Sequence, residues 1–158
     1  MTWAVCGRFT LTIPSFEVLA ASLGLPAIPG VEYRPRYNVA PTDSTWVVRE
    51  RGGSRGLEAM VWGLIPRWNR LPNGGRKPIN ARAETLEDKP TFRDSFASRR
   101  CAVVSDGFLE WDKRGAEKVP LWFTPRDGGL LLMGGLYDEW IRPDGARVRS
   151  FTIVTTEP

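Results

Sequence analysis

Glycine and proline divide this sequence into short apolar segments, and this division favours β-strands over long helices. The 158 residues include 16 glycines and 13 prolines, which weaken or end regular elements when they fall in the interior. The apolar runs between them, at 101–104, 130–133 and 151–155, have the length of buried strands. We therefore predict a single α+β domain with a dominant, antiparallel, barrel-like sheet and a few short helices.

Local signals add helices and hairpins to this prediction. Ser15 can cap a helix over 16–23, and Pro90 separates two further helical segments at 83–89 and 91–98. Further strands are predicted at 6–13, 45–50 and 57–62, loops at 25–36 and 69–78, and hairpin turns at 52–54, 127–129 and 143–145.

The sequence contains no histidine, which excludes any Ser–His or Cys–His catalytic pair built from these residues. Its two cysteines, Cys6 and Cys101, are too few for a disulfide framework, and there is no CxxC pair to bind a metal. We predict neither a metal nor a cofactor. No apolar stretch approaches the roughly 20 residues that cross a bilayer, and the first residues lack a secretory core, so we expect a cytoplasmic protein that does not bind membranes.

The charge balance is basic, with a formal net charge of +4 and a pI of about 9.4. Arginine supplies 18 of the 22 basic residues. The guanidinium fork matches phosphate oxygens and stacks on bases, which suits a nucleic-acid groove. Arginine-rich usage can equally reflect genomic base composition, so both interpretations stay open.

Cys6 lies in the segment CGRF at 6–9, where Arg8 supplies a cation that would lower the pKa of the thiol. This context is compatible with a nucleophile, although free cysteines are often simply buried. Cys101 opens an apolar strand, and we assign it to the core.

Asn80 and Arg82 are two residues apart, so an extended backbone places both on one face, where they could hold a phosphate or polarise a carbonyl. Glu84 falls on the same face of such a strand and offers Arg82 a purely structural partner. Glu110 lies between Leu109 and Trp111, where lost solvation would favour its protonated form and suit a proton carrier. An exposed position on an edge strand is the alternative.

Two of the seven tryptophans, Trp62 and Trp68, bracket a segment that contains Arg67. Aromatic and basic side chains in alternation suit the stacking of unpaired bases above a charged groove. Most tryptophans in a domain of this size belong to the core, so we assign only one or two to a ligand.

Seven segments, in order along nearly the whole chain, resemble motifs of the SRAP (SOS response-associated peptidase) family. These segments are CGRF at 6–9, YNVAPT at 37–42, WGLIP at 62–66, NARAET at 80–85, RC at 100–101, GFLEW at 107–111 and TTE at 155–157.

The resemblance implies a sensor of abasic sites in single-stranded DNA that forms a covalent thiazolidine through an N-terminal cysteine. Cys6 would be the nucleophile, Asn80 a polar orienting group and Glu110 the acid–base catalyst. The residues implied in DNA binding are Arg8, Pro41, Trp62, Trp68 and Arg82. The resemblance also implies a cytoplasmic, nucleoid-associated monomer that exposes its cysteine by self-cleavage.

The sequence departs from the family pattern at both ends. The family's catalytic histidine follows the TTE segment, and the 158 residues do not include it, so we expect that a C-terminal part of the single domain is missing. Five residues precede Cys6, and we expect either self-cleavage after Val5 or, preferably, translation that begins at Val5.

Two other classes of function remain open from the sequence. The chain could bind single-stranded DNA without a covalent bond, with an incidental thiol. It could also be a cysteine peptidase that acts on other proteins, although the absence of histidine counts against this class.

Overall fold

The computed structural model describes residues 7–71, 73–112 and 118–156 of the chain. Cys6 and the end of the TTE segment therefore lie outside the described residues. The strands are β1 (Arg8–Leu11), β2 (Arg36–Val39), β3 (Ser44–Arg51), β4 (Ser54–Trp62), β5 (Asn80–Arg82), β6 (Arg100–Ser105), β7 (Gly107–Asp112), β8 (Val119–Phe123), β9 (Leu131–Ile141) and β10 (Arg147–Thr155). Two short α-helices, α1 (Phe16–Ser22) and α2 (Arg93–Ser98), and a 3₁₀-helix (Ala83–Thr85) complete the described elements.

Five strands close into a barrel in the order β4–β3–β6–β9–β10. The pairings are antiparallel except at the closure, where β10 lies parallel to β4 through the pairs Ser150–Val61 and Phe151–Trp62. Beyond that point the same edge of β10 pairs with β5, again in parallel. Closure removes the exposed edges that an open sheet of these strands would leave.

A second, antiparallel sheet has the order β2–β1–β7–β8 and packs against the barrel. A cluster of buried side chains joins the two, with the Phe9 ring centroid 5.1 Å from that of Trp62 and the Trp62 ring stacked 6.4 Å from that of Phe151. The predicted α+β class and its barrel-like antiparallel sheet are confirmed.

The local predictions met different outcomes. Helix α1 forms as predicted, and the Ser15 side chain accepts a hydrogen bond from the Val18 backbone N–H. The hairpin turn at 52–54 is confirmed because Gly52 and Gly53 adopt positive φ angles of 58° and 80° between β3 and β4. The turn at 143–145 likewise joins β9 to β10.

Two local predictions were wrong, and others were incomplete. The segment 83–89 forms a single 3₁₀ turn rather than a helix. The turn at 127–129 does not close a hairpin, because β8 and β9 belong to different sheets. The predicted strand at 130–133 is the start of the eleven-residue β9, and strands β2, β7 and β8 were not predicted.

Candidate functional site

Strands β1 and β7 bring two of the predicted site residues to the same region of the second sheet. Arg8 pairs directly with Leu109, the neighbour of Glu110. The Arg8 Nη1 donates a hydrogen bond to Asn38 Oδ1 at 3.1 Å, which places the guanidinium over β2. Glu110 is only 8% exposed. It shares a strand face with Phe108, which packs against the core, so its carboxylate lies on the inner side of the sheet.

A buried carboxylate that the sequence did not indicate fixes the register of β1 against β7. Asp106 Oδ1 accepts a hydrogen bond from the Thr10 hydroxyl at 2.6 Å. Its Oδ2 accepts from the backbone N–H and the hydroxyl of Thr12 at 2.5 and 2.6 Å. Burial, and secondly the negative charge of Asp106, raise the pKa of nearby Tyr33 to about 12.

Trp62 is completely buried, so the prediction that it contacts DNA was wrong. Alternation along β4 turns Met60 and Trp62 into the barrel, and a sequence pattern of aromatic and basic residues does not reveal which face a side chain occupies. The indole Nε1 donates to the Ile79 carbonyl at 2.8 Å, and the ring contacts Phe9. Trp62 therefore links β1 to Ile79, the residue that precedes β5.

Asn80 and Arg82 occupy β5, as the extended spacing predicted, and β5 pairs with Ile153–Thr155. Oδ1 of Asn80 is buried, whereas Arg82 is exposed at the strand end. The extended backbone stops at Arg82, and Glu84 lies in the following 3₁₀-helix. The strand alternation that would have placed Glu84 beside Arg82 is therefore absent.

Pro41 lies in a turn that docks on Trp62. The turn runs from Ala40 to Asp43, and Thr42 has a φ of 77°, which is unusual for a residue other than glycine. The Thr42 N–H donates to the Trp62 carbonyl at 2.9 Å, and the Trp62 N–H donates to the Asp43 carbonyl at 2.9 Å. The segments 37–42 and 62–66 are thus neighbours in space.

Trp68 is 53% exposed on the loop between β4 and β5. Its neighbours are anchored to β9, because Arg67 binds Asp138 and the Asn69 carbonyl accepts from Trp140 Nε1 at 2.7 Å. The residues beside the ring line a cleft of about 470 Å³, namely Pro66, Asn69, Arg70, Leu71, Arg76 and Thr91. The basic residues here suit an anionic ligand.

The segments that carry Arg8, Glu110 and Asn80 thus meet at one core cluster, since Phe9, Phe108 and Ile79 all belong to it or pack against it. Within the second sheet, Arg8 and Glu110 project to opposite faces. The structure supports Trp68 separately, through β9. Sequence reasoning missed Asp106 and its two threonines, although an aspartate before Gly107, one residue after the apolar run 101–104, was an available signal.

Cys101 packs against the core cluster, in line with its assignment from the sequence. Burial raises the pKa of its thiol to about 12, against a smaller opposite effect of Arg49. Within the described ranges there is no group of three or more acidic, cysteine or histidine side chains that could hold a metal ion. The helices of that same part of the chain are all too short or too polar to span a membrane.

The comparison with protein families finds one match, to the SOS response associated peptidase (SRAP) family over residues 5–158. The abasic site processing protein YoqW of Bacillus subtilis is 38% identical over 156 residues, which cover 98% of this chain and 69% of the relative. The abasic site processing protein HMCES of Xenopus tropicalis is 31% identical, over 80% of this chain and 47% of the relative. A crystal structure of a protein from Bacteroides thetaiotaomicron has a TM-score of 0.86 at 27% identity, over 96% of this chain and 68% of that one.

Proposed function

Because the chain belongs to the SRAP family, we propose that it recognises abasic sites in single-stranded DNA and binds them covalently through Cys6. The observation that carries this proposal is the 38% identity, over 98% of the chain, with a relative named as an abasic site processing protein. A vertebrate relative with the same description is 31% identical. An activity on abasic DNA is the property that these names have in common.

The proposed reaction joins Cys6 to the ring-opened sugar of an abasic site in two steps. The α-amine adds to the C1′ aldehyde, and loss of water gives an imine. The thiolate then adds to the imine carbon while the nitrogen takes up a proton, which closes a five-membered thiazolidine. Because one residue carries both groups, the second step is intramolecular, with an effective molarity on the order of 10⁵ M or more.

This chemistry requires a free α-amine on Cys6. We propose that the amine arises by self-cleavage between Val5 and Cys6 or by translation that begins at Val5. Self-cleavage would account for the peptidase in the family description. Intact-mass measurement of active, untagged protein should show a chain that begins at Cys6, and a crosslinked species that retains residues 1–5 would contradict the mechanism.

For the remaining site residues we propose the roles that the family resemblance implies. Glu110, desolvated on the inner face of β7, would protonate the hydroxyl that leaves as water. Asn80 would orient the reacting sugar. Arg8 and Arg82 would contact phosphates, and Pro41 and Trp68 would shape the surface along which the strand lies.

The decisive experiment uses single-stranded DNA with one abasic site and a denaturing gel. The native protein should form a band of reduced mobility that resists denaturation. Cys6→Ala should abolish the band, whereas Cys101→Ala, the matched loss of the second thiol, should retain it. If Cys6→Ala retains affinity and the native protein forms no covalent species, the chain is a non-covalent DNA-binding module.

Glu110→Gln tests the proton carrier separately. We expect the crosslinking rate to fall by roughly 100-fold or more, with little change in affinity for undamaged DNA. An unchanged rate would remove Glu110 from the mechanism. Cleavage of an unrelated unfolded protein, measured in parallel, would instead support a general peptidase.

A further inference from the structure

The outer face of the second sheet carries the exposed indole of Trp122, in register with Arg8, which was predicted to contact DNA. We propose that Trp122 and Arg8 form a platform that binds an undamaged nucleotide of a single DNA strand, with the base stacked on Trp122 and a phosphate on Arg8. The choice of DNA as ligand rests on the proposed function. The stacking role of Trp122 is an additional claim with its own test.

Strand register places the two side chains on one face. Arg8 lies directly opposite Leu109 on β7, and Leu109 lies directly opposite Trp122 on β8. Directly opposed residues project to the same side of a sheet, with about 5 Å between Cβ atoms at each step. The backbone positions of Arg8 and Trp122 are therefore roughly 10 Å apart across three strands. The Arg8 guanidinium extends to the β2 side, where it bonds Asn38, so a short stretch of nucleic acid that crosses the strands would reach both groups.

Hydrogen bonding and close packing hold the indole in place. Trp122 Nε1 donates to the Thr10 hydroxyl oxygen at 3.2 Å, and that hydroxyl donates to Asp106. Gly107 lies under the ring, since a Cβ there would lie 2.4 Å from Trp122 Nε1. Although the polar edge of the indole is bonded, the side chain is 58% exposed. A ring with fixed orientation loses little conformational entropy when a ligand binds to it.

The chemistry of this face favours a nucleotide over an apolar protein segment. The outward positions of β1, β7 and β8 that the structure describes carry no carboxylate of their own; they are Arg8, Thr10, Gly107, Leu109, Trp111, Pro120 and Trp122. The Asp106 carboxylate, which bonds the Thr10 hydroxyl on this face, is buried and accepts hydrogen bonds from Thr10 and Thr12. An exposed aromatic ring beside a cation matches an unpaired base beside a phosphate. Arg8 is also two residues from Cys6 in the sequence.

Two oligonucleotides that cannot form a covalent bond test the platform. The first is fluorescein-labelled dT12, and the second is an equally long chain of tetrahydrofuran residues, which carries the phosphates but neither bases nor an aldehyde. We expect Trp122→Ala to weaken binding of dT12 by about fivefold or more and to leave binding of the baseless chain unchanged. Trp122→Phe should keep most of the affinity for dT12, because it retains a stacking ring.

Ile141→Ala is the matched control, since Ile141 is a similarly exposed apolar residue at the end of β9. The platform would be refuted if Trp122→Ala bound dT12 as tightly as Ile141→Ala, or if it lost affinity equally for both probes. A Trp122→Phe variant as weak as Trp122→Ala would also refute it. The abasic-site crosslinking assay decides the covalent function independently, because neither probe can react.

Discussion

Replacing Asp106 with asparagine tests whether this buried carboxylate holds the strand that follows Cys6. The carboxylate accepts three hydrogen bonds, one from Thr10 and two from Thr12. An asparagine side chain of nearly the same shape presents an NH₂ group in place of one oxygen. With the amide nitrogen towards Thr12, the Thr12 backbone N–H faces another donor. With the amide nitrogen towards Thr10, the Thr10 hydroxyl can accept from it and donate to the Gly107 carbonyl, which lies 3.3 Å away.

The cost can be worked out from these three bonds. Hydrogen bonds to a charged group contribute about 1.5–3 kcal/mol each, and those to a neutral group about 1 kcal/mol. In the second orientation the variant keeps both Thr12 bonds but loses their charge assistance, while it no longer has to bury a charge. We therefore expect Asp106→Asn to lower the free energy of unfolding by about 1–3 kcal/mol.

Equilibrium denaturation in urea at neutral pH measures this change. Asp127→Asn is the matched control, because Asp127 is exposed and its Oδ1 accepts only from the Gly129 N–H in a turn. We expect the control to change stability by less than about 0.5 kcal/mol. Asp106→Asn could instead change the free energy of unfolding no more than the control does. The free energy lost on burying the carboxylate would then equal the free energy gained from its hydrogen bonds, and Asp106 would not stabilise β1.

Three further predictions concern the barrel and the charged surface. In a Cys6→Ala background, the raised pKa of Cys101, about 12 against an ordinary 9.0, predicts alkylation at neutral pH on the order of 1000-fold slower than for a free thiol. Because the folded state holds the thiol proton more tightly than the unfolded state, the contribution of Cys101 to the free energy of unfolding should be complete below pH 9 and disappear as the pH rises towards 12. Cys101→Ala should therefore make the loss of stability in alkaline denaturation curves less steep. An equally steep loss would contradict a raised pKa for this thiol. Gly135→Ala should cost about 1–3 kcal/mol, since its Cβ would lie 2.9 Å from a methyl carbon of β6, whereas Gly134→Ala, with its nearest neighbour at 3.9 Å, should be nearly neutral in thermal melts. Arg82→Gln should reduce the slope of log affinity for single-stranded DNA against log salt by roughly 0.7, and an unchanged slope would exclude a phosphate contact.

The strands that could be predicted from the sequence are those whose side chains are mostly buried or alternate clearly between buried and exposed. The run 101–104 is apolar because both faces of β6 are covered: Val103 packs in the cluster that contains Trp62, and Val104 packs on the opposite face in the cluster that contains Phe16. Strand β8 was missed because it is the edge of the second sheet and most of its side chains are exposed, so that it has neither an apolar run nor a clear alternation.

The site was harder to predict than the fold, because its residues are brought together by pairings between distant segments. Sequence spacing correctly indicated an extended backbone for Asn80 and Arg82, which are neighbours along the chain. It could not indicate the hydrogen-bond partners of Asp106, which are 94 and 96 residues away.

Trp62 shows why the motif segments are informative although each of them is weak alone. Its indole binds the carbonyl that precedes Asn80, its backbone binds the turn at Pro41, and its ring packs on Phe9 of CGRF. Three other segments, or the residue directly beside them, thus contact this one residue. The tryptophan that the sequence pattern assigned to DNA binding is instead a buried support for β1, for the turn at Pro41 and for the start of β5.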